Sequence, residues 1–392
     1  MPWPVRTYRH VLLAMGLVSV INGILYPVLA LYVYGTSEDF FLVGLITALP
    51  FLAAVPMSFV WGMVSDRIGS RRLVMASAGT VGGLVFFAMP FAEPLGLVVL
   101  RLVQVSFTTS FVLLNAVATE CFPKRKGTAV GDLALVGGLG QAVGALLAGT
   151  LITTADMRVG SGAVVNLFWL GGALMVAASL SLLPMRHRPG KSEITSLRGL
   201  LSFGDRRGMA VVSTVAFLLP LAGYIVFSVF PIYLKGLAIP LDPALTAGIF
   251  TALSAVTGIF ASGLAGRACD RHGRRPVLIA SGIAYILVWG AMGMTVQPVL
   301  VAALWAVPVW SFFVVSSITM VSDMTEEGER GRGIGLVNSA INLGGAAGSI
   351  LAGYLLSGGL VDNIFFLAAA VALMGLLASL AAKETLKSRS RT

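Results

Sequence analysis

The chain is expected to be an all-α polytopic membrane protein with twelve transmembrane helices in two six-helix bundles, and three observations predict this. Its 392 residues are 57% hydrophobic and 11% charged, with a mean hydropathy of +0.91, far from the soluble norm of about half apolar and a quarter charged. Twelve apolar runs can be drawn, each close to the ~20 residues that a helix needs to cross a bilayer. The second half of the chain also repeats the first at a fixed offset. Only helices or closed barrels satisfy the backbone inside lipid, so apolar runs of this length are read as helices.

The runs cover residues 10–34, 41–64, 72–91, 95–119, 128–152, 163–183, 209–234, 245–268, 276–296, 299–322, 333–357 and 363–382. Between the sixth and seventh lies a polar, basic stretch, so the domains are drawn as residues 1–183, a linker at 184–208, and residues 209–392. The apolar run after Arg6 and Arg9 is too long for a signal-peptide core and lacks a small-residue cleavage pattern, so it is read as the first span.

The repeat is clearest in one short loop, written twice. Gly62, Asp66, Arg67, Gly69, Arg71 and Arg72 recur as Gly266, Asp270, Arg271, Gly273, Arg274 and Arg275, and Gly62, Asp66, Arg67, Gly69 and Arg71 each lie 204 residues before a matching residue. The same offset carries Pro27 to Pro231, Gly127 to Gly331, Gly131 to Gly335, Gly140 to Gly344, Gly144 to Gly348 and Ala148-Gly149 to Ala352-Gly353. A tandem duplication explains all of these at once.

The net charge of +10 would suggest a nucleic-acid partner in a soluble protein, but the positions of the charges exclude that reading. Of 27 lysines and arginines, 24 fall at the termini, in the linker or in loops on one side of the predicted membrane, leaving only Arg158 and Lys235 opposite and Arg101 within it. By the positive-inside rule both termini are cytoplasmic. The expected location is the cell (inner) membrane, with the lipid bilayer as partner. The two cysteines and three histidines form no metal or disulfide spacing, and no nucleotide-binding signature is present. No cofactor, metal or enzymatic chemistry is therefore expected.

The repeated loop resembles the one between the second and third helices of each half of a major facilitator superfamily transporter, and the likeness extends over essentially the whole chain. It implies halves related by a pseudo-two-fold axis, alternating access, and a small-molecule substrate carried by a monomer. It also implies that the loops act as latches. Asp66 would meet the start of the eleventh span, Gly331 to Gly335, and Asp270 the start of the fifth, Gly127 to Gly131, where a helix dipole favours an acid. The plainer alternative is a loop that only sets topology.

The fourth span carries Arg101, Gln104, Thr108, Phe111, Asn115 and Thr119 at spacings of 3, 4, 3, 4 and 4, one helical face. A polar stripe cannot face lipid, so it is expected to line a wet cavity or the bundle interior. Arg101 lies about 9 Å into the helix at 1.5 Å per residue, and a charge there costs about 2.5 kcal/mol or more. Arg101-Leu-Val-Gln104 resembles the Arg-x-x-Gln-Gly signature of proton-coupled drug exporters, with Val105 in place of the glycine. That branch has Gly-Pro in its fifth helix where this chain has Gly140-Gln141.

Weaker polar faces occur at Asn22 and Tyr26 in the first span, Tyr224 in the seventh, Trp305 in the tenth and Asn338 and Asn342 in the eleventh. The resemblance places spans one, four, seven and ten around a central cavity, and interhelical hydrogen bonding is the alternative for each residue. Carboxylates are scarce in the core. Glu120 is expected to pair with Lys124 one turn on, while Asp132 is the first candidate to carry a proton and Asp323 the second. The glycines of spans five and eleven suit close helix packing. The expected function is proton-coupled efflux of small amphipathic or organic compounds, with transport of an anionic metabolite or lipid-linked substrate as the alternative and a non-transporting receptor or membrane-embedded enzyme further behind.

Overall fold

A computed structural model describes residues 3–122, 125–185, 205–326, 330–359 and 364–386. Among these, fifteen α-helices make up the spans and no strand occurs. In chain order they are α1 (Trp3–Ser37), α2 (Phe40–Ile68), α3 (Arg71–Val85), α4 (Pro94–Thr108), α5 (Leu113–Cys121), α6 (Lys126–Leu151), α7 (Gly162–Ser181), α8 (Arg206–Phe227), α9 (Phe230–Tyr233), α10 (Pro243–His272), α11 (Arg274–Gly293), α12 (Pro298–Trp305), α13 (Val309–Met324), α14 (Arg330–Ser357) and α15 (Ile364–Leu380). Eleven stretches are long and apolar enough to cross a membrane, and α15 is a shorter apolar helix. This is the expected twelve-helix arrangement. Most of the linker drawn at 184–208 lies outside the described residues.

Helix boundaries follow local chemistry. Asp39 caps α2 by accepting from the amides of Phe41 at 2.7 Å and Leu42 at 3.4 Å, as a short acid before a helix does. At the other end Gly69 adopts φ 67° and its amide bonds the Ser65 carbonyl at 3.0 Å, a left-handed cap that glycine adopts without a Cβ penalty.

Among the described residues the fourth, seventh and tenth spans are each broken into two α-helices. The tenth is interrupted between α12 and α13, where Pro308 cannot continue the backbone ladder. The seventh breaks between α8 and α9, just before Pro231. The fourth has no proline near its break, yet a 3-10 segment at Thr109–Val112 separates α4 from α5. Here Ser106, Thr108 and Thr109 turn their hydroxyls back onto the carbonyls of Leu102, Gln104 and Val105 at 2.7, 3.0 and 2.7 Å. Such back-bonding loosens and bends a helix.

The chain groups into two compact units. Unit 1 holds the described residues of Met1–Ser192 with Val229–Val256, and unit 2 holds those of Glu193–Ser228 with Thr257–Thr392. In unit 1, α6 lies directly on α1: a Cβ at Gly144 would fall 1.9 Å from the Val20 carbonyl oxygen. In unit 2, α14 lies on α8 in the same way, and a Cβ at Gly348 would fall 2.4 Å from the Leu221 oxygen. Apolar burial drives little association in lipid, so bare backbone at these positions is what permits the contact.

Gly140 meets the Gly16 oxygen and Gly344 the Phe217 oxygen, so the packed partners are 201 residues apart while the glycines are 204 apart. The spans therefore slip by three residues between halves. That register sets Ser228, not Pro231, at the place of Pro27. Large apolar side chains such as Phe260, Leu264, Leu287 and Leu377 are exposed on the helices, as a lipid-facing surface requires.

Candidate functional site

The polar face of the fourth span is built as a relay inside unit 1. Arg101 is 7% exposed and Gln104 2%. One terminal guanidinium nitrogen, Arg101 Nη1, donates to Gln104 Oε1. Gln104 Nε2 donates to Thr108 Oγ1 at 3.1 Å, and that hydroxyl donates back to the Gln104 carbonyl at 3.0 Å. The i, i+3, i+7 spacing makes this possible without help from another helix. Arg101 Nε is buried with no hydrogen-bond partner among the described residues.

Gly82 lets α3 close over this relay, since a Cβ there would lie 2.7 Å from Thr108 Cγ2. Phe111 is likewise buried, its ring against Gly79. Beyond the 3-10 segment the face changes: Asn115 is exposed and Thr119 half-buried. A 3-10 turn has 3.0 rather than 3.6 residues, so residues after it rotate off the earlier stripe. The six positions read as one face are thus two.

The other candidate residues fall into separate groups. In unit 1, Asn22 is exposed and Tyr26 and Gln141 are half-buried. The Gln141 carbonyl oxygen would be 2.1 Å from a Cβ at Gly23, so this part of α6 is packing surface against α1. Asp132 is exposed and accepts from the Tyr8 hydroxyl at 2.9 Å. Tyr8 also donates to the Ala129 carbonyl at 3.2 Å and meets the Phe122 ring edge-on at 4.8 Å. Tyr8 was missed because a lone tyrosine near a chain start carries no periodic signal.

In unit 2, Tyr224 and Trp305 are joined through Phe227. The Trp305 ring stacks on Phe227 at 5.9 Å and 12°, and Tyr224 meets Phe227 at 5.2 Å and Trp310 at 6.0 Å, both edge-on. Trp289 extends the run, 6.3 Å from Trp305. Asn338 is exposed and Asn342 half-buried.

Three ion pairs among the described residues lie at the repeated loops. In the first, Asp66 is half-buried and Arg67 exposed. Arg71 Nη1 pairs with Glu120 Oε1 at 2.5 Å, and Arg72 donates to the carbonyls of Leu183 and Met185 at 3.3 and 3.0 Å. Glu120 was expected to pair with Lys124, which lies outside the described residues; among the described residues a contact from α3 reaches it. Tertiary packing brings an arginine alongside that helical spacing could not reveal.

In the second loop, Arg274 joins Asp323 at 2.9 Å and the exposed Asp270 at 3.4 Å. Glu384, beyond α15, accepts from the amides of Arg274 and Arg275 at 3.0 and 3.1 Å, and Arg275 Nη2 donates to the Leu380 carbonyl at 3.0 Å. Partial burial pushes the Glu384 carboxyl up, but amides of Leu386, Arg274, Arg275 and Thr385 outweigh it and hold the group below the usual carboxylate range. Gly273 takes φ 99° to make the turn into α11.

A duplicated all-helical membrane bundle with a buried cationic relay defines a class of multi-pass membrane proteins. The family model of the Major Facilitator Superfamily matches residues 11–267 and 241–392. A multi-drug resistance efflux pump PmrA homolog of Lactococcus lactis subsp. lactis (strain IL1403) is 23% identical over 284 residues, covering 69% of this chain and 68% of that protein. Among solved structures, a variant of the nucleoside transporter NupG superposes with TM-score 0.82 at 18% identity, over 97% of this chain and 100% of that one. A bacterial homolog of the human lysosomal transporter Spinster, inward-facing and unoccupied, gives 0.71 at 16%, over 97% and 94%. The chain belongs to the Major Facilitator Superfamily and is a membrane transporter of that type.

Proposed function

We propose that the protein exports small amphipathic organic compounds in exchange for protons, by alternating access. The observation that carries this reading is the sealed Arg101–Gln104–Thr108 relay with Arg101 Nε left without a partner. A charge buried at this cost is retained for a purpose, and the similar efflux pump homolog supports the direction of transport.

In this reading a carboxyl carries the proton, and Asp132, held by the Tyr8 hydroxyl, is the first candidate, with Asp323 the second. Tyr224, Trp305 and their aromatic neighbours supply an uncharged face for the substrate, with Asn22, Tyr26, Asn115, Gln141, Asn338 and Asn342 as polar contacts. Asp66 and Asp270 fasten the cytoplasmic side against the starts of the eleventh and fifth spans. Residues 1–183 and 209–392 are the two moving bodies, and both termini are cytoplasmic, as the distribution of lysine and arginine requires.

The test uses purified protein in vesicles with an imposed proton gradient, probed with chloramphenicol, an uncharged amphipath, and with ethidium. Flux of either that follows the gradient and is lost in Arg101→Ala supports the proposal. Flux indifferent to the gradient counts against it. The unpaired Arg101 Nε also favours a second reading, in which an anionic organic group is the substrate. Transport of such an anion, competed by salicylate and insensitive to the gradient, selects that reading. Net uptake of uridine, suggested by the nucleoside transporter neighbour, argues against efflux.

A further inference from the structure

Unit 1 carries a second set of polar contacts at the end away from the repeated loop. Asp242 precedes α10, and its Oδ1 accepts from the Ala244 amide at 2.8 Å, an N-cap. The same carboxylate accepts twice more through Oδ2, from the Thr154 amide at 3.0 Å and the Thr154 hydroxyl at 2.8 Å. Thr154 opens the short turn Thr154–Asp156 that follows α6, so one carboxylate ties the far end of α6 to the start of α10. The turn is held in place beforehand, because Asp156 Oδ2 accepts from the Thr153 amide at 3.0 Å and hydroxyl at 2.8 Å. Beneath this tie the two helices touch through bare backbone. A Cβ at Gly149 would lie 2.8 Å from Leu245 Cα, and one at Gly248 would lie 2.4 Å from the Ala145 oxygen.

The first half supplies an internal comparison. Asp39 stands 203 residues before Asp242 and caps α2 as Asp242 caps α10, through the amides of Phe41 and Leu42. Its side chain bonds nothing outside α2 among the described residues. Capping alone therefore does not call for a second partner, and the Thr154 contacts are an addition. α10 is also the helix in which the grouping changes, with residues up to Val256 in unit 1 and those from Thr257 in unit 2.

We infer that Asp242 and Thr154 are the fastening of a gate at this end, closed in the structure by the Gly149 and Gly248 backbone contacts and released when α10 parts from α6. The inference rests on the transporter class alone, not on efflux or proton coupling. The tie is suited to the task. Its donors and acceptor are near solvent, so water replaces them on opening and the net bias is modest, which a gate that opens in every cycle requires.

The experiment reads opening without any substrate. Ala244, 1% exposed beside Gly149, is changed to Cys in a Cys121→Ser, Cys269→Ser background and labelled with a membrane-impermeant maleimide in nanodiscs. Asn is as good a cap as Asp, so Asp242→Asn preserves the start of α10 while weakening both Thr154 bonds. Asp242→Asn and Thr154→Val are each expected to speed labelling roughly five-fold, the effect of losing about one hydrogen bond. Their combination should add little to the larger single effect, and Asp39→Asn should change nothing. Unchanged labelling in both single variants, or an equal rise in Asp39→Asn, overturns the inference. Because no flux is measured, failure of the efflux reading would leave this result standing.

Discussion

Arg71 of α3 and Glu120 of α5 form an ion pair at 2.5 Å, and Arg274 with Asp323 repeats it at 2.9 Å exactly 203 residues further on. The loops align at 204, but the pairs that hold them align at 203. The duplication has thus conserved a contact between the start of one helix and the end of another while the turn between Gly273 and Arg274 lost one residue of spacing relative to Gly69 and Arg71. Each unit carries its own copy, so each loop is braced from within its own unit.

Breaking the first pair should destabilise the protein. Arg71 has a side chain only 10% exposed and Glu120 32%, so removing one partner strands a poorly hydrated charge. Glu120→Gln and Arg71→Ala are each expected to cost about 2 kcal/mol, seen as a lower midpoint in thermal unfolding. The double variant Arg71→Leu/Glu120→Leu should cost less than the two single losses added together.

Within the buried relay, Gln104→Leu removes the acceptor for Arg101 while nearly preserving volume. Transport should fall at least tenfold, a loss of about 1.4 kcal/mol or more in the rate-determining interaction, and the melting midpoint should drop with it. Arg101→Lys should not rescue either property, because a point charge on a flexible stem does not replace a planar fork. Activity near wild type in Gln104→Leu would remove the relay from the mechanism.

Close packing of α6 on α1 makes a steric prediction. Gly144→Ala would press a methyl into the Val20 carbonyl and Gly348→Ala into that of Leu221, so each should cost upwards of about 3 kcal/mol or prevent assembly. Gly96→Ala is the control. Its nearest neighbour would be the Ala92 side chain at 3.6 Å, and a helix gains up to about 1 kcal/mol from that change. Expression level and unfolding midpoint of the three variants decide the matter.

The C-terminal contact should depend on pH in one direction. The Glu384 carboxyl is held below its ordinary value by backbone amides, so its contribution is complete above the ordinary glutamate range and is lost as pH falls through the lowered value. Hydrogen exchange at the Arg274 and Arg275 amides, corrected for the intrinsic rate, should show protection at neutral pH that disappears in acid. Glu384→Gln should flatten that profile.

Much of the fold was legible because the constraint on it is one-dimensional. Hydrocarbon thickness fixes span length and the membrane forbids unpaired backbone, so apolar runs in the chain predict helices within a few residues, as at 41–64 against Phe40–Ile68. The duplication was equally plain, since five loop residues share one offset. Less could be read of the site. Periodicity joined Arg101 to Asn115 on one face, but the back-bonded hydroxyls of Ser106, Thr108 and Thr109 tighten the helix between them and no count of spacings contains that turn.

By itself the amino-acid sequence determined the class of protein, the number of spans, the repeat and the charged loops at its centre, because each is a property of residues near one another along the chain. Only the tertiary structure decided that Arg71 takes Glu120, that Tyr8 takes Asp132, that the first span packs on the fifth and the seventh on the eleventh in registers differing by three residues, and that Thr154 reaches Asp242. Each of these joins groups far apart in the chain, and their meeting depends on how closely two helices approach, which the bare backbone at Gly144 and Gly348 sets.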